Sequence, residues 1–152
     1  MAQLHELVTP ESIRLDARAH DWRSAIRAAG KLLAKSGAGS PAFTKAMIKN
    51  VEEHGPYIVI APGFAFAHAQ APDLVSRTAM SWARLKKPVK FGNADNDPVT
   101  LVAALASADS TQHIQAMRQL MSVVENQETR QQLETASNVD EFLAVLKRLN
   151  EW

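Results

Sequence analysis

Five histidines, at positions 5, 20, 54, 68 and 113, are the side chains of this 152-residue chain best suited to nucleophilic or proton-transfer chemistry near neutral pH. The chain has no cysteine, which removes a thiol nucleophile, a thiolate metal site and a disulfide framework. No GxGxxG or P-loop motif is present, so no recognised loop for a nucleotide exists. No HxxxH or HExxH pairing joins His54, His68 and His113 into a zinc site. Asp73, Asp95 and Asp97 have turn-forming roles that account for them, and without a GxSxG elbow a Ser/His/Asp hydrolase has no support.

His68 follows Gly63-Phe64-Ala65-Phe66-Ala67 and precedes Ala69. Small and apolar neighbours disfavour the imidazolium, leaving a neutral ring whose free nitrogen can attack phosphorus. By residue pattern alone, the commoner case is a histidine packed at a strand end and satisfied by a backbone carbonyl. His113 sits about three residues into a helix if Ser110 is its N-cap, where free N–H groups and the helix dipole favour an anion such as phosphate. Spacing alone favours a surface histidine there. His54 precedes Gly55 at a helix C-terminus and suits a capping role, while His5 and His20 read as surface residues.

The elements that must position these residues follow from periodicity. SIRLDA (12–17) alternates as a short strand with Ile13 and Leu15 on one face. Trp22, Ala25, Ile26, Ala29, Leu32 and Leu33 recur at helical spacing after Asp21 as N-cap, with Gly37 just beyond the end. Ser40, Pro41 and Gly55 delimit a second helix carrying Phe43, Met47 and Val51, which makes a helical hairpin with the first. YIVIAP (57–62) and FAFAHA (64–69) read as strand, turn and strand about Gly63. RTAMSWARL (77–85) alternates, Val89 to Phe91 form a separate extended piece, and NADND (93–97) turns into PVTLVAALA, a central strand buried on both faces. Ile114, Met117, Leu120, Met121 and Val124 follow on a helix that ends in the polar stretch ENQETRQQ. A last helix starts near Asn138, with Glu141 completing a capping box, and presents Phe142, Val145, Leu146 and Leu149.

Helices at both ends and strands between them predict an α/β fold, a mixed central β-sheet flanked by α-helices, formed by one domain over residues 1–152. At 46% hydrophobic the chain can bury one core. Seventeen basic against sixteen acidic residues, without long blocks of either sign, argue against nucleic acid as partner. Lys86, Lys87 and Lys90 read as a solvated strand rim. No stretch approaches a membrane span or a signal peptide, so the expected location is cytoplasmic. An exposed sheet edge leaves a dimer open.

GPYIVIAPGFAFAHA (55–69), LKKPVKFGNADNDPV (85–99) and SADSTQHIQAM (107–117) together resemble the enzyme IIA component of the sugar phosphotransferase system. The likeness is to its mannitol/fructose class, and the first two stretches are most similar to the ascorbate-type branch. It extends from the helix at Asp21 to the last helix. The resemblance implies that the histidine of the Gly-x-Ala-x-x-His segment, His68, is phosphorylated, and that His113 is the second histidine at the start of a later helix, stabilising the phosphate. It also implies a donor, the histidine-containing phosphocarrier protein, and an acceptor, a cysteine of enzyme IIB, which serves a membrane enzyme IIC. No cofactor or metal is implied, because phosphoryl transfer between histidines needs positioning and charge stabilisation above all.

On that reading the surface-facing ring nitrogen of His68 takes the phosphoryl group while the other is held by a backbone acceptor. His113 and free amides near 111–113 face the phosphate oxygens. One of the sets Phe64/Phe66 and Ala65/Ala67 faces the partner and the other the core. Two positions depart from the family pattern. Ala67 stands where many members have proline, which predicts a looser aim for the histidine, and Lys49, Glu52 and Glu53 occupy the stretch where some members carry an arginine. The competing reading is a regulatory module of the same fold that binds a transporter, kinase or transcription factor.

Overall fold

PVTLVAALA carries no charged side chain, and such a strand is stable only with apolar cover on both faces. The computed structural model, which describes residues 4–148, shows that cover. Strand β5 (Val99–Ala106) lies in the middle of a five-stranded sheet with β1 (Ile13–Ala17), β2 (Val59–Ala61), β3 (Phe64–Ala67) and β4 (Ala79–Val89), in the order β1-β4-β5-β3-β2. β4 is antiparallel to β5, β3 is parallel to it, β1 is parallel to β4, and β2 and β3 form an antiparallel hairpin. The sheet is therefore mixed, as the short connections require.

Strand alternation sorts two cores. Phe64 and Phe66 of β3 and Leu101, Ala103 and Leu105 of β5 join Trp82 on one face. There α3 (Ser110–Glu125), α4 (Gln127–Thr135) and α5 (Val139–Arg148) bring Leu120, Leu133, Phe142 and Leu146. On the other face Ala65, Ala67, Val102, Ala104 and Ala106 meet Ile26 and Leu33 of α1 (Trp22–Lys35) and Phe43 and Met47 of α2 (Pro41–His54). All four residues of the FAFA segment are buried, so neither its phenylalanines nor its alanines face a partner, contrary to expectation. Each phenylalanine contributes about 1.5–3 kcal/mol by burial, enough to commit that face to the core.

The helix starts at Asp21 and Ser40 occur as the sequence predicts. The Asp21 carboxylate accepts from the Ser24 amide at 2.7 Å, and Ser40 Oγ from the Phe43 amide at 3.3 Å. Four expectations change. Val89 is not the start of a separate strand: β4 runs on through it, and pairing with β5 is irregular only between Arg84 and Val89, where Pro88 lacks an N–H. Asp109 rather than Ser110 caps α3, its carboxylate accepting from the Gln112 amide at 2.8 Å. The polar stretch after α3 is itself helical, as α4, because Arg84 donates to the Leu133 and Glu134 carbonyls at 3.0 and 3.1 Å and Arg130 to the Pro62 carbonyl at 2.8 Å. Glu141 caps one residue earlier than expected, accepting from the Ser137 amide at 2.8 Å, and Leu149 lies outside the described residues.

The α1–α2 hairpin closes at Gly30, where a Cβ would stand 2.2 Å from Thr44 Oγ1 and 2.9 Å from Thr44 Cβ. Gly30→Ala should therefore destabilise the fold by about 1–3 kcal/mol through overpacking, despite a helix-propensity gain of about 1 kcal/mol. Urea unfolding should show Thr44→Ala restoring much of that loss in the double variant. Equal stability of Gly30→Ala and the parent would exclude the close contact.

Candidate functional site

β3 and β5 run in parallel, so both leave the sheet at the same end. Ala67 makes the last pairing, with Ala104, and His68 follows it directly. β5 ends at Ala106, and three residues later Asp109 caps α3. That geometry brings His68 and His113 together, with ring centroids 5.6 Å apart. Phe66 lies beneath both, stacked on His68 at 4.8 Å and tilted to His113 at 6.3 Å.

The tautomer of His68 follows from one contact. Its Nδ1 lies 2.9 Å from the Phe66 carbonyl oxygen. A carbonyl only accepts, so Nδ1 carries the proton and Nε2 keeps a free lone pair. Tyr57 Oη is 3.4 Å from that Nε2. Asn50 on α2 then spans the site, its Nδ2 donating to the His68 carbonyl at 3.1 Å and to Tyr57 Oη at 2.7 Å. The stretch carrying Tyr57 is anchored in turn by the NADND cluster: Asn96 Nδ2 donates to the Val59 carbonyl at 3.0 Å and Asn93 Nδ2 to the Pro56 carbonyl at 3.4 Å. Ala67, which stands where many members have proline, is a buried strand residue paired with Ala104.

An open cleft over the two rings is lined by Lys49, Asn50, Glu53, His54, Tyr57 and Gln70 as well as His68 and His113. His54, assigned from sequence to helix capping, thus borders the site, and its ring meets Tyr57 edge-on at 6.3 Å. Lys49 is the cation of this lining and pairs with Glu53 at 3.7 Å. His20 is exposed beside Asp21 at 3.6 Å, away from this cleft, and the side chain of His5 is not among those described. Among the described residues no group of three or more His, Cys, Asp or Glu is arranged to hold a metal ion. The anticipated cradle of amides is partly taken: the Gln112 amide is capped by Asp109, and the His113 amide donates to the Asp109 carbonyl at 3.2 Å. Tyr57 and Asn50 escaped the sequence reading. Tyr57 is the chain's single tyrosine and is 48% exposed, whereas Asn50 carries no signal beyond sharing a helix face with His54.

Electrostatics favour the neutral rings. Burial lowers the pKa of His68, and the Phe66 carbonyl offsets this only in part. Burial also lowers that of His113, helped by the proximity of His68. A neutral imidazole with Nδ1–H tied down and Nε2 open to a cleft is a nitrogen nucleophile.

The family profile described as "Phosphoenolpyruvate-dependent sugar phosphotransferase system, EIIA 2" matches residues 6–149. The chain is similar to the ascorbate-specific PTS system EIIA component of Shigella flexneri, at 33% identity over 150 residues and 97% of each chain. Its structure is similar to the mannitol-specific cryptic phosphotransferase enzyme IIA of Escherichia coli, with a TM-score of 0.84 at 30% identity over 97% of this chain and 99% of that one. It is also similar to a chain in the complex of enzyme IIAMtl with phosphorylated enzyme IIBMtl from Escherichia coli, with a TM-score of 0.82, 27% identity and coverage of 93% and 97%.

Because both folded-state pKa values lie below the ordinary histidine value of about 6.5, the unfolded chain binds more protons as the pH falls through 6.5. Stability should be constant above that pH and decline below it. NMR titration should place both histidines below 6.5, and His68→Gln should flatten the decline. A His68 midpoint at or above 6.5 would contradict the burial argument.

Proposed function

The chain belongs to the EIIA 2 family of the phosphoenolpyruvate-dependent sugar phosphotransferase system, and from that premise we propose that His68 is its phosphoryl-carrying residue. The observation that carries the reading is the 2.9 Å contact from Nδ1 to the Phe66 carbonyl, which leaves Nε2 as the nucleophile facing the cleft. The donor is the histidine-containing phosphocarrier protein, and the acceptor is a cysteine of an enzyme IIB that serves a membrane enzyme IIC. The complex of the related IIAMtl with a phosphorylated IIBMtl supports that acceptor. Similarity to ascorbate-specific components favours an ascorbate-type sugar acid as the transported substrate. A cytoplasmic location suits these partners, and among the described residues no helix is long and apolar enough to cross a membrane.

In the forward step the Nε2 lone pair forms the new N–P bond as the donor's N–P bond breaks, and the donor nitrogen keeps the released pair. The proton stays on Nδ1, donated to the Phe66 carbonyl, so no base is required. In the return step a thiolate of the acceptor forms the P–S bond as the Nε2–P bond breaks, and Nε2 regains its lone pair, which restores the neutral ring. Transfer through a loose transition state needs alignment and stabilisation of the three phosphoryl oxygens. In this reading His113, whose ring lies 5.6 Å from that of His68, stabilises them, while Lys49 at the cleft wall is already paired with Glu53.

Incubation with the purified phosphocarrier, its kinase and phosphoenolpyruvate should label the chain in an acid-labile form, and His68→Ala should accept nothing. His113→Ala should remain folded and still be labelled, with the rate lowered roughly 10- to 1,000-fold, as for loss of one transition-state donor. Undiminished labelling of His68→Ala would move the phosphoryl group to another residue. An unaltered rate in His113→Ala would remove that histidine from the mechanism.

A further inference from the structure

Two hydrogen-bonding atoms beside His68, Asn50 Nδ2 and Tyr57 Oη, define a direction that the phosphoryl-carrier assignment does not use. The His68 carbonyl can only accept, so the Asn50 atom 3.1 Å away must be the amide nitrogen. Its second N–H is directed to Tyr57 Oη at 2.7 Å, which makes that oxygen an acceptor. The tyrosine's own proton is then left to point elsewhere, and the lone pair of Nε2 lies 3.4 Å away. That separation is long for an O–H···N bond and marks a weak contact from which the hydroxyl is readily redirected.

We propose that Tyr57, oriented by Asn50, is a catalytic hydroxyl that donates to Nε2 of His68 in the resting state and to a phosphoryl oxygen once the group is on Nε2. This rests on His68 being the phosphoryl carrier. Forming the N–P bond consumes the Nε2 lone pair, so the resting acceptor of the tyrosine proton disappears in the same event that brings an anionic oxygen beside it. No proton changes owner, because the hydroxyl only rotates. Asn50 gives Tyr57 its polarity, since donation into Oη strengthens the O–H as a donor. The same amide also holds the His68 carbonyl, so one side chain aligns the nucleophile and its helper. Tyr57 is half exposed and packs edge-on against His68 at 5.8 Å, so it can turn without disturbing the core.

The test compares the intact protein with Tyr57→Phe, Asn50→Asp and the double variant, using phosphorylated phosphocarrier as donor. Tyr57→Phe should lower the single-turnover rate at saturating donor about 10- to 100-fold, near the low end of what loss of one donor costs because the site is open. The KM for donor should stay within about twofold, since the hydroxyl acts in the transition state. The ³¹P resonance of the phosphorylated form and the ¹⁵N resonance of unphosphorylated Nε2 should both move, because the hydroxyl donates to each in turn. A carboxylate at position 50 accepts the tyrosine proton instead of donating, so Asn50→Asp should reproduce the rate loss, and adding Tyr57→Phe should cost little more.

A folded Tyr57→Phe with parental rate and resonances would overturn the proposal. A change confined to KM would make Tyr57 a docking contact and overturn it as well. If Tyr57→Phe failed to fold, Asn50→Asp with an undiminished rate would be the overturning result. Absence of any phosphate on His68 in the parent would refute the carrier assignment, which the parental label reads separately from the variants.

Discussion

One hydrogen bond orders the chemistry of this molecule, the contact from His68 Nδ1 to the carbonyl of Phe66 two residues earlier. It locks the tautomer, directs the ring and leaves a single nitrogen free, at no cost in buried charge. The carbonyl belongs to a strand residue whose side chain is wholly buried in the core. The residue that stacks under the imidazole therefore also supplies its acceptor, and a change in strand register would remove both together.

The remainder of the fold keeps that strand end in place. β3 lies between β5 and the short β2, with alanines facing α1 and α2 and phenylalanines facing the three later helices. Small residues on one face admit a closely packed helical hairpin, in which Gly30 leaves no room for a Cβ beside Thr44. That hairpin carries Asn50, so close packing in the first core reaches the site through one amide that holds both Tyr57 and the backbone of His68. The opposite core fixes α3 and with it His113. The two histidines meet because parallel strands deliver both chain segments to the same edge of the sheet.

Burial and nucleophilicity cooperate here. A ring removed from water loses proton affinity, and for a group that must attack through its lone pair that loss increases the reactive fraction at neutral pH. Asp109 shows the opposing economy at α3. Its carboxylate occupies the helix terminus that the sequence suggested for phosphate, and the polar groups left around the cleft are side chains, among them His113, Tyr57 and the Lys49–Glu53 pair.

Local chemistry determined much of this fold from sequence. Asp21 and Ser40 mark helix starts by satisfying amides within one turn, Pro41 does so by lacking an amide that would need a partner, and the uncharged run ending at Ala106 suits a strand covered on both faces. The family was also legible, through motifs over most of the chain, whereas spacing alone left His68 an ordinary packed histidine. What the sequence could not disclose depends on partners remote along the chain. α4 has little apolar periodicity and is held by Arg84 reaching across from β4. β4 continues through a proline because Val89 regains Val99 as a partner. Tyr57 and Asn50 became site residues only when folding placed one amide within reach of both a phenol and a carbonyl. Composition and periodicity record which surfaces must be buried; which polar atoms face one another across a cleft is decided by the packing of those surfaces.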